Sequence, residues 1–371
     1  MLVLSARPFR SVVLDAREGS AVVSKRFHHP NPLLARFDGA RARREFAALT
    51  ALERAGLPVP HPLEMRASDA GWEIRLTAVE GARTLGALLD AAAVPPGGWT
   101  RLAARLGEAL ARLQQSGFEH GDLHPGNVLV DAHGAPWLID LGRVLSVAPD
   151  AARCLSELVH CAAAVREVMP ARARARFLVA WLQALPRELR PQLAGRELAH
   201  ALEQRARVLR RHQVQLGLGR WLRESSRVRR LEYSGVRAWV RRDLDDAAVE
   251  PLLAAPPPAG SDARWTVLRG ERSELRARWL GAARLHEHRL PAARPVLFVP
   301  GSRWPWRRSD AWAAFEPPEP ARRAPSGAAL LEALAERGLA LAAPAAALAR
   351  LGEGAYLSPP REPDEIWDAT A

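Results

Sequence analysis

Leucines at 102, 106, 110 and 113 recur on one helical stripe between polar positions, which predicts an amphipathic helix from Trp99 to Gln115 closed by Gly117. The same period through Phe46, Leu49 and Leu52 predicts a helix over Arg36–Ala55, with Gly56 as its stop. Helical patterns also run over Thr84–Ala91, Ala151–Val168, Ala171–Leu185 and Glu197–Arg211. Apolar and β-branched runs predict strands at Ser11–Leu14, Ala21–Phe27 and Trp72–Val79, the first two joined by an Asp-Ala-Arg-Glu-Gly-Ser turn. Val128–Val130 and Trp137–Ile139 flank a polar turn at Asp131–Gly134 and read as a short hairpin.

Composition narrows the class. With 371 residues, 48% of them hydrophobic, the chain is globular and most naturally makes two domains. No run of about 18 uncharged apolar residues is present, and the opening Met-Leu-Val-Leu-Ser-Ala-Arg-Pro is too short an apolar run for a signal peptide, so a cytoplasmic protein is expected. Cys154 and Cys161, seven residues apart on a predicted helix, are separated by about 10 Å and cannot bridge. The net charge is +12, and of 53 basic residues only Lys25 is a lysine. In a chain where Arg serves everywhere else, a single lysine marks a position shaped around a compact ammonium; a chance survivor is the bland alternative.

The candidate chemistry lies between the helix ending at Gln115 and the pattern starting at Ala151. It reads His120-Gly-Asp122-Leu-His124-Pro-Gly-Asn127, followed by the hairpin and then Asp140-Leu-Gly142. A lone His-Gly-Asp is a common turn, but the loop, the hairpin and the second Asp in this order are far more specific. The arrangement resembles the protein-kinase-like superfamily, with Asp140-Leu-Gly142 standing where kinases carry Asp-Phe-Gly. The wording around Gly121 resembles the superfamily's bacterial sugar and lipopolysaccharide (Kdo/heptose) kinases, since protein kinases usually have Arg between the His and the Asp.

The resemblance implies an α+β, bilobal protein-kinase-like fold over residues 1–222, with a small β-rich N-lobe over about 1–80 and a helical C-lobe over about 81–222. It implies ATP and Mg2+ as cofactors. Asp122 would meet the acceptor hydroxyl, and Asn127 and Asp140 would hold the metal. His120 joins the catalytic candidates, with bracing of the loop as its favoured role, and His124 could approach the acceptor. Lys25, late in a Val-rich strand, would grip the phosphates, and Glu45 would pair with it; an exposed helix pair competes for Glu45, with Glu53 as runner-up. Backbone groups of Ala78, Val79 and Glu80 would face the adenine beside a Glu80-Gly81 hinge. One departure stands out: no glycine occurs between Ser5 and Arg10, where a Gly-x-Gly-x-x-Gly loop is expected.

After Gly142 a helical pattern begins within about a dozen residues, leaving little room for a peptide platform. The expected activity is therefore transfer of the γ-phosphoryl group of ATP to a hydroxyl of a glycan or glycolipid. A protein Ser/Thr kinase, a small-molecule phosphotransferase of the aminoglycoside or choline type, and a non-catalytic pseudokinase scaffold are the alternatives. Arginines from 205 to 230 suit an anionic membrane surface or a phosphorylated glycan, with a solvated helix face as an equal reading. Nucleic acid is not expected as a partner, because no aromatic-interleaved basic motif appears.

From 223 to 371 the chain reads as a second, degenerate kinase-like region or an accessory domain, with Pro-rich linkers at 256–258 and 317–325. Two strands over Ser226–Leu244 are expected to repeat those at 11–27, with Arg241 in the place of Lys25. From Arg278 onward the chain aligns without gaps on the segment from Glu45: Leu52, Leu57, Pro58 and Pro62 meet Leu285, Leu290, Pro291 and Pro295, and Glu45 meets Arg278. Leu330–Gly338 resembles the helix ending at Gly117, but no His-x-Asp follows.

Overall fold

The computed structural model describes the chain except residues 1, 8–9, 18–19, 30, 69–70, 92, 194, 257, 262–264, 302–310, 319–323, 325–326, 338, 342–347, 351–354, 358–365 and 369–371. Parts of the Asp15–Ser20 turn and of both Pro-rich linkers thus lie outside the described residues. The chain divides into two units, Met1–Leu209 and Arg210–Ala371.

The first unit opens with strands β1 (Leu2–Arg7), β2 (Arg10–Arg17) and β3 (Ser20–Phe27), then a short helix α1 (Pro32–Ala35) and the long α2 (Asp38–Arg54). Strands β4 (Pro62–Ser68) and β5 (Gly71–Thr77) complete an antiparallel sheet in the order β1-β2-β3-β5-β4. Both strands that the hydrophobic pattern misses, β1 and β4, are its edges. An edge strand is half-paired and tolerates polar side chains, so its alternation is weak.

Burial along α2 falls on Ala42, Glu45, Leu49 and Leu52, a stripe of helical period that puts a carboxylate among apolar neighbours. Gly56, at φ +69°, ends the helix region as a left-handed glycine should. The strand expected to reach Val79 stops at Thr77, because the chain turns away after the Ala78 N–H donates to the Ala21 carbonyl.

The helical lobe follows with β6 (Arg83–Thr84), α3 (Leu85–Asp90) and α4 (Gly98–Gln115). Thr84 caps α3 by accepting the Ala87 N–H. Leu102, Leu106, Leu110 and Leu113 of α4 are buried as the stripe predicts. Next come β7 (Phe118–Glu119), β8 (Val128–Val130), β9 (Pro136–Leu138), β10 (Leu145–Ser146), α5 (Ala151–Val165), α6 (Ala171–Ala184) and α7 (Gly195–Leu218), the last longer than expected. Gly107 lets α4 and α6 touch backbone to backbone: a Cβ there would sit 2.4 Å from the Phe177 carbonyl oxygen. The lobes share one core and are tied where the Pro58 carbonyl accepts the Leu138 N–H. This is the two-lobed α+β arrangement expected.

In the second unit, β11 (Val228–Tyr233), β12 (Val236–Arg241), α8 (Asp246–Ala254), β13 (Gly260–Ser261), β14 (Thr266–Gly270), α9 (Arg272–Glu287), β15 (Arg294–Val299), β16 (Ala311–Glu316) and α10 (Gly327–Glu336) follow in order. The sheet order is β11-β12-β15-β16-β14-β13. Within it, β13-β14-β16-β15 repeats β2-β3-β5-β4, with α9 between β14 and β15 as α2 lies between β3 and β4. Even the irregularity recurs, after Pro62 in one sheet and after Pro295 in the other.

The register corrects one expectation. Lys25 pairs with Ile74, and the matching pair is Leu268 with Ala313, so Leu268 and not Arg241 holds the lysine's place. Arg241 belongs to β12, on the far side of β15, where it is buried and bonded to Asp243 and Glu316. Leu268 packs into the core beneath α9, and Arg278, in Glu45's place, pairs with Glu274. Among the described residues no helix is long and apolar enough to cross a membrane.

Candidate functional site

Strand pairing places Arg10 opposite Phe27 and Val12 opposite Lys25, so all four side chains leave the sheet on one face, toward α2. There Lys25, 6% exposed, meets Glu45, 4% exposed, through a short ion pair. Lys25 Nζ also lies 3.0 Å from Asp140 Oδ1. Residues 25, 45 and 140 are thus brought into direct contact from a strand, a helix and the end of the hairpin. Glu53, the alternative to Glu45, is at the surface against His61.

The hairpin that delivers Asp140 is fixed by its own turn. Asp131 Oδ1 accepts the N–H groups of His133 and Ala135, and Oδ2 accepts the Trp137 indole N–H. Asp140 then adopts a left-handed backbone, φ 60° and ψ 54°, a conformation that Asp tolerates better than most residues. Both of its carboxylate oxygens are bonded: Arg10 donates from Nη1 to Oδ1 at 2.8 Å and from Nη2 to Oδ2 at 3.0 Å, alongside Lys25 on Oδ1. Burial alone would raise the Asp140 carboxyl; the Lys25 ammonium and the Arg10 guanidinium outweigh it and hold the group well below the usual carboxylate range.

Asn127 Nδ2 donates to the Asp122 carbonyl at 2.9 Å, which draws the loop into a tight bend. Asp122 faces the cleft, with Arg143 3.6 Å from its Oδ2. His124 accepts the Gly126 N–H, a local cap for the turn at Pro125–Asn127. Gly121 has φ +71°, and a Cβ there would lie 2.6 Å from the Arg143 carbonyl oxygen. A side chain between His120 and Asp122 is therefore excluded by the returning chain.

His120 is buried at the start of this loop, as the bracing role favoured for it requires. Its side chain is 0% exposed and cannot touch a substrate. Nε2 donates to the Ile139 carbonyl at 3.2 Å, tying the loop to the residue before Asp140, while Nδ1 has no hydrogen-bond partner among the described residues. Burial holds this imidazole below its ordinary value, and so neutral.

Sequence reasoning missed Glu157. Buried on α5, it accepts the His120 N–H at 2.6 Å and a Gln114 N–H at 3.1 Å, while Gln114 Oε1 accepts from Trp181. Burial pushes its carboxyl up to about 6, against the pull of those hydrogen bonds. In the sequence it is one charged position beside Leu158 and Cys154, which by itself points to no role. Both thiols nearby are pushed up by burial, Cys154 to about 11 and Cys161 to about 12, which leaves them unreactive.

Arg10, Arg41, Arg44, Glu45, Asp122, Asp140 and Arg143 line a cleft of about 490 Å³. Cations outnumber carboxylates there, which suits a polyanion. Ala78–Glu80 follow β5 at the junction of the lobes; the Ala78 N–H and the Val79 carbonyl are taken, by Ala21 and Ala82. Among the described residues no backbone group pairs with the Ala78 carbonyl or the Val79 N–H, which suits them to a ligand edge. Among the described residues no group of three or more His, Cys, Asp or Glu side chains could hold a metal alone. One carboxylate and one amide oxygen, from Asp140 and Asn127, instead suit a Mg2+ ion whose remaining ligands are phosphate oxygens and waters. The segment after Gly142 is short and paired, Leu145 with Glu119 and Ser146 with Phe118, before α5 begins.

Residues 23–153 match the Lipopolysaccharide kinase (Kdo/WaaP) family. A 3-deoxy-D-manno-octulosonic acid kinase of Stenotrophomonas maltophilia (strain R551-3) is 32% identical over 142 residues, covering 37% of this chain and 54% of that protein. One from Vibrio parahaemolyticus serotype O3:K6 is 28% identical over 117 residues, 30% of this chain and 48% of that protein. The chain thus spans about half the length of the curated relatives it matches. A solved structure of WbdD aligns with a TM-score of 0.38 and 21% identity, covering 54% of this chain and 49% of that one. The segment that is similar to this lipopolysaccharide kinase family contains Lys25, Glu45, Asp122, Asn127 and Asp140, the residues that form the site.

Proposed function

We propose that the N-terminal unit is an ATP-dependent phosphotransferase that moves the γ-phosphoryl group onto a hydroxyl of a glycan or glycolipid, with a Kdo- or heptose-bearing lipopolysaccharide core as the acceptor. The observation that carries this reading is the meeting of Lys25 with both Glu45 and Asp140, two carboxylates from distant parts of the chain. Lys25 orients the phosphates, and Glu45 fixes the ammonium. Asp122 positions the acceptor hydroxyl and takes its proton late in a loose transition state. His120 and Glu157 hold the loop that carries Asp122. Asn127 and Asp140 would hold Mg2+, which would supply positive charge to offset the negative charge developing on the transferring group. Backbone atoms of Ala78–Glu80 face the adenine. The kinase names of the relatives and the short paired segment after Gly142 support a small hydroxyl acceptor over a peptide.

This reading puts the protein on the cytoplasmic side, where ATP is available, and its arginine-rich helices suit peripheral contact with an anionic membrane. The test is transfer of labelled phosphate from ATP, with Mg2+, to purified Kdo- and heptose-bearing glycolipids. Asp122→Ala should lower turnover by about 10²- to 10⁴-fold with nucleotide affinity kept. Equal transfer by wild type and variant, or none to any such glycolipid, would overturn the assignment.

A further inference from the structure

Every kinase-like site must bring positive charge or amide donors to the β- and γ-phosphates from above, and here the expected glycines are missing. What the β1–β2 hairpin supplies instead is Arg10, the first residue of β2. Register fixes where it points: Arg10 sits opposite Phe27, two positions along from Lys25, on the same face. Its guanidinium spans the cleft to reach both oxygens of Asp140, at 2.8 and 3.0 Å.

That contact has a consequence for ligand binding. A carboxylate bridged on both oxygens by a fork of two N–H donors, with an ammonium also on Oδ1, already has positive charge in front of it where a cation would approach. A metal and the guanidinium therefore compete for Asp140, and an Arg10 released by that competition remains within the cleft beside Lys25. A metal-bound triphosphate provides both halves of the exchange, a cation for the carboxylate and phosphate oxygens for the guanidinium. The side chain is a quarter exposed or less, so it loses little hydration in the move.

We propose that Arg10 is a phosphate-binding residue that does the work of the absent glycine loop, parked on Asp140 until MgATP displaces it. This rests on the phosphotransferase reading of the same cleft. The test is calorimetric binding of MgATP and of adenosine to the full chain, wild type against Arg10→Gln and Arg10→Lys. A charge-assisted contact to phosphate is worth roughly a ten- to hundredfold change in affinity. Arg10→Gln should weaken MgATP by that factor and leave adenosine within about twofold, which also reports an intact fold. Arg10→Lys should fall between. MgATP binding that is unchanged or tighter in Arg10→Gln would overturn the inference, the second outcome leaving Arg10 as a mere block on Asp140. If wild type bound no MgATP at all, the phosphotransferase reading itself would fall, and this inference with it.

Discussion

Replacing Lys25 by Met removes the counter-ion of a carboxylate that has no other hydrogen-bond partner among the described residues. Glu45 is 4% exposed and its contact is to Lys25, whereas Asp140 keeps Arg10. Breaking one side of a buried pair costs about 3–5 kcal/mol, because the surviving charge is left desolvated. Replacing both partners by apolar residues of similar volume is nearly neutral. Lys25→Met should therefore lose about 3–5 kcal/mol, while Lys25→Met/Glu45→Met should come within about 1 kcal/mol of wild type, a coupling far above that of independent sites. The assay is urea unfolding of the full chain read by hydrogen exchange in peptides from β3 and α2, so that the second unit does not mix into the transition. Both variants should lose phosphoryl transfer by about 10²-fold or more, since neither keeps the ammonium, even though the double variant regains stability. Additive effects of the two substitutions, or a Lys25→Met protein as stable as wild type, would refute the buried-pair argument.

Two further outcomes are expected. Because the Glu157 carboxyl is raised from its ordinary 4.5 to about 6, its contribution to stability is complete below pH 4.5 and lost as pH rises through 6. The stability of wild type relative to Glu157→Gln should fall by about 2 kcal/mol over that range, and a flat difference would contradict the burial argument. Gly121→Ala places a Cβ against the Arg143 carbonyl at a left-handed φ, and should cost about 2–4 kcal/mol and displace Asp122, seen as a lower melting temperature with reduced turnover.

Much of the site could be read from residue spacing because its parts are local: the loop from His120 to Asn127, the hairpin and Asp140 are contiguous, and turn chemistry at Asp131 and Gly134 sets their geometry. Lys25 was legible for a different reason, its solitude among arginines. Arg10 and Glu157 were not legible, since each acts through a partner more than 35 positions away. Arg10 hides in an arginine-rich background, and Glu157 looks like one polar position of an ordinary helix. The edge strands β1 and β4 escaped because pairing on one side demands little of their side chains. In the second unit the ungapped alignment from Glu45 and Arg278 matches the helix and brings Pro62 onto Pro295 at the start of the following strand. It failed upstream, where the link between strand and helix is shorter than in the first unit and the strand pair at 228–241 belongs to the opposite side of the sheet.

A sequence with one lysine offers chemistry one side-chain amine. Since that amine is buried between two carboxylates, acylating reagents that mark lysines on most proteins have a single internal target here, reachable only when the lobes part. Biotinylation or fluorophore esters, read on the peptide that carries Lys25 and not on the α-amino terminus, thus become a gauge of cleft breathing, and enzymes that tag lysine side chains with acetyl groups find none on the exterior.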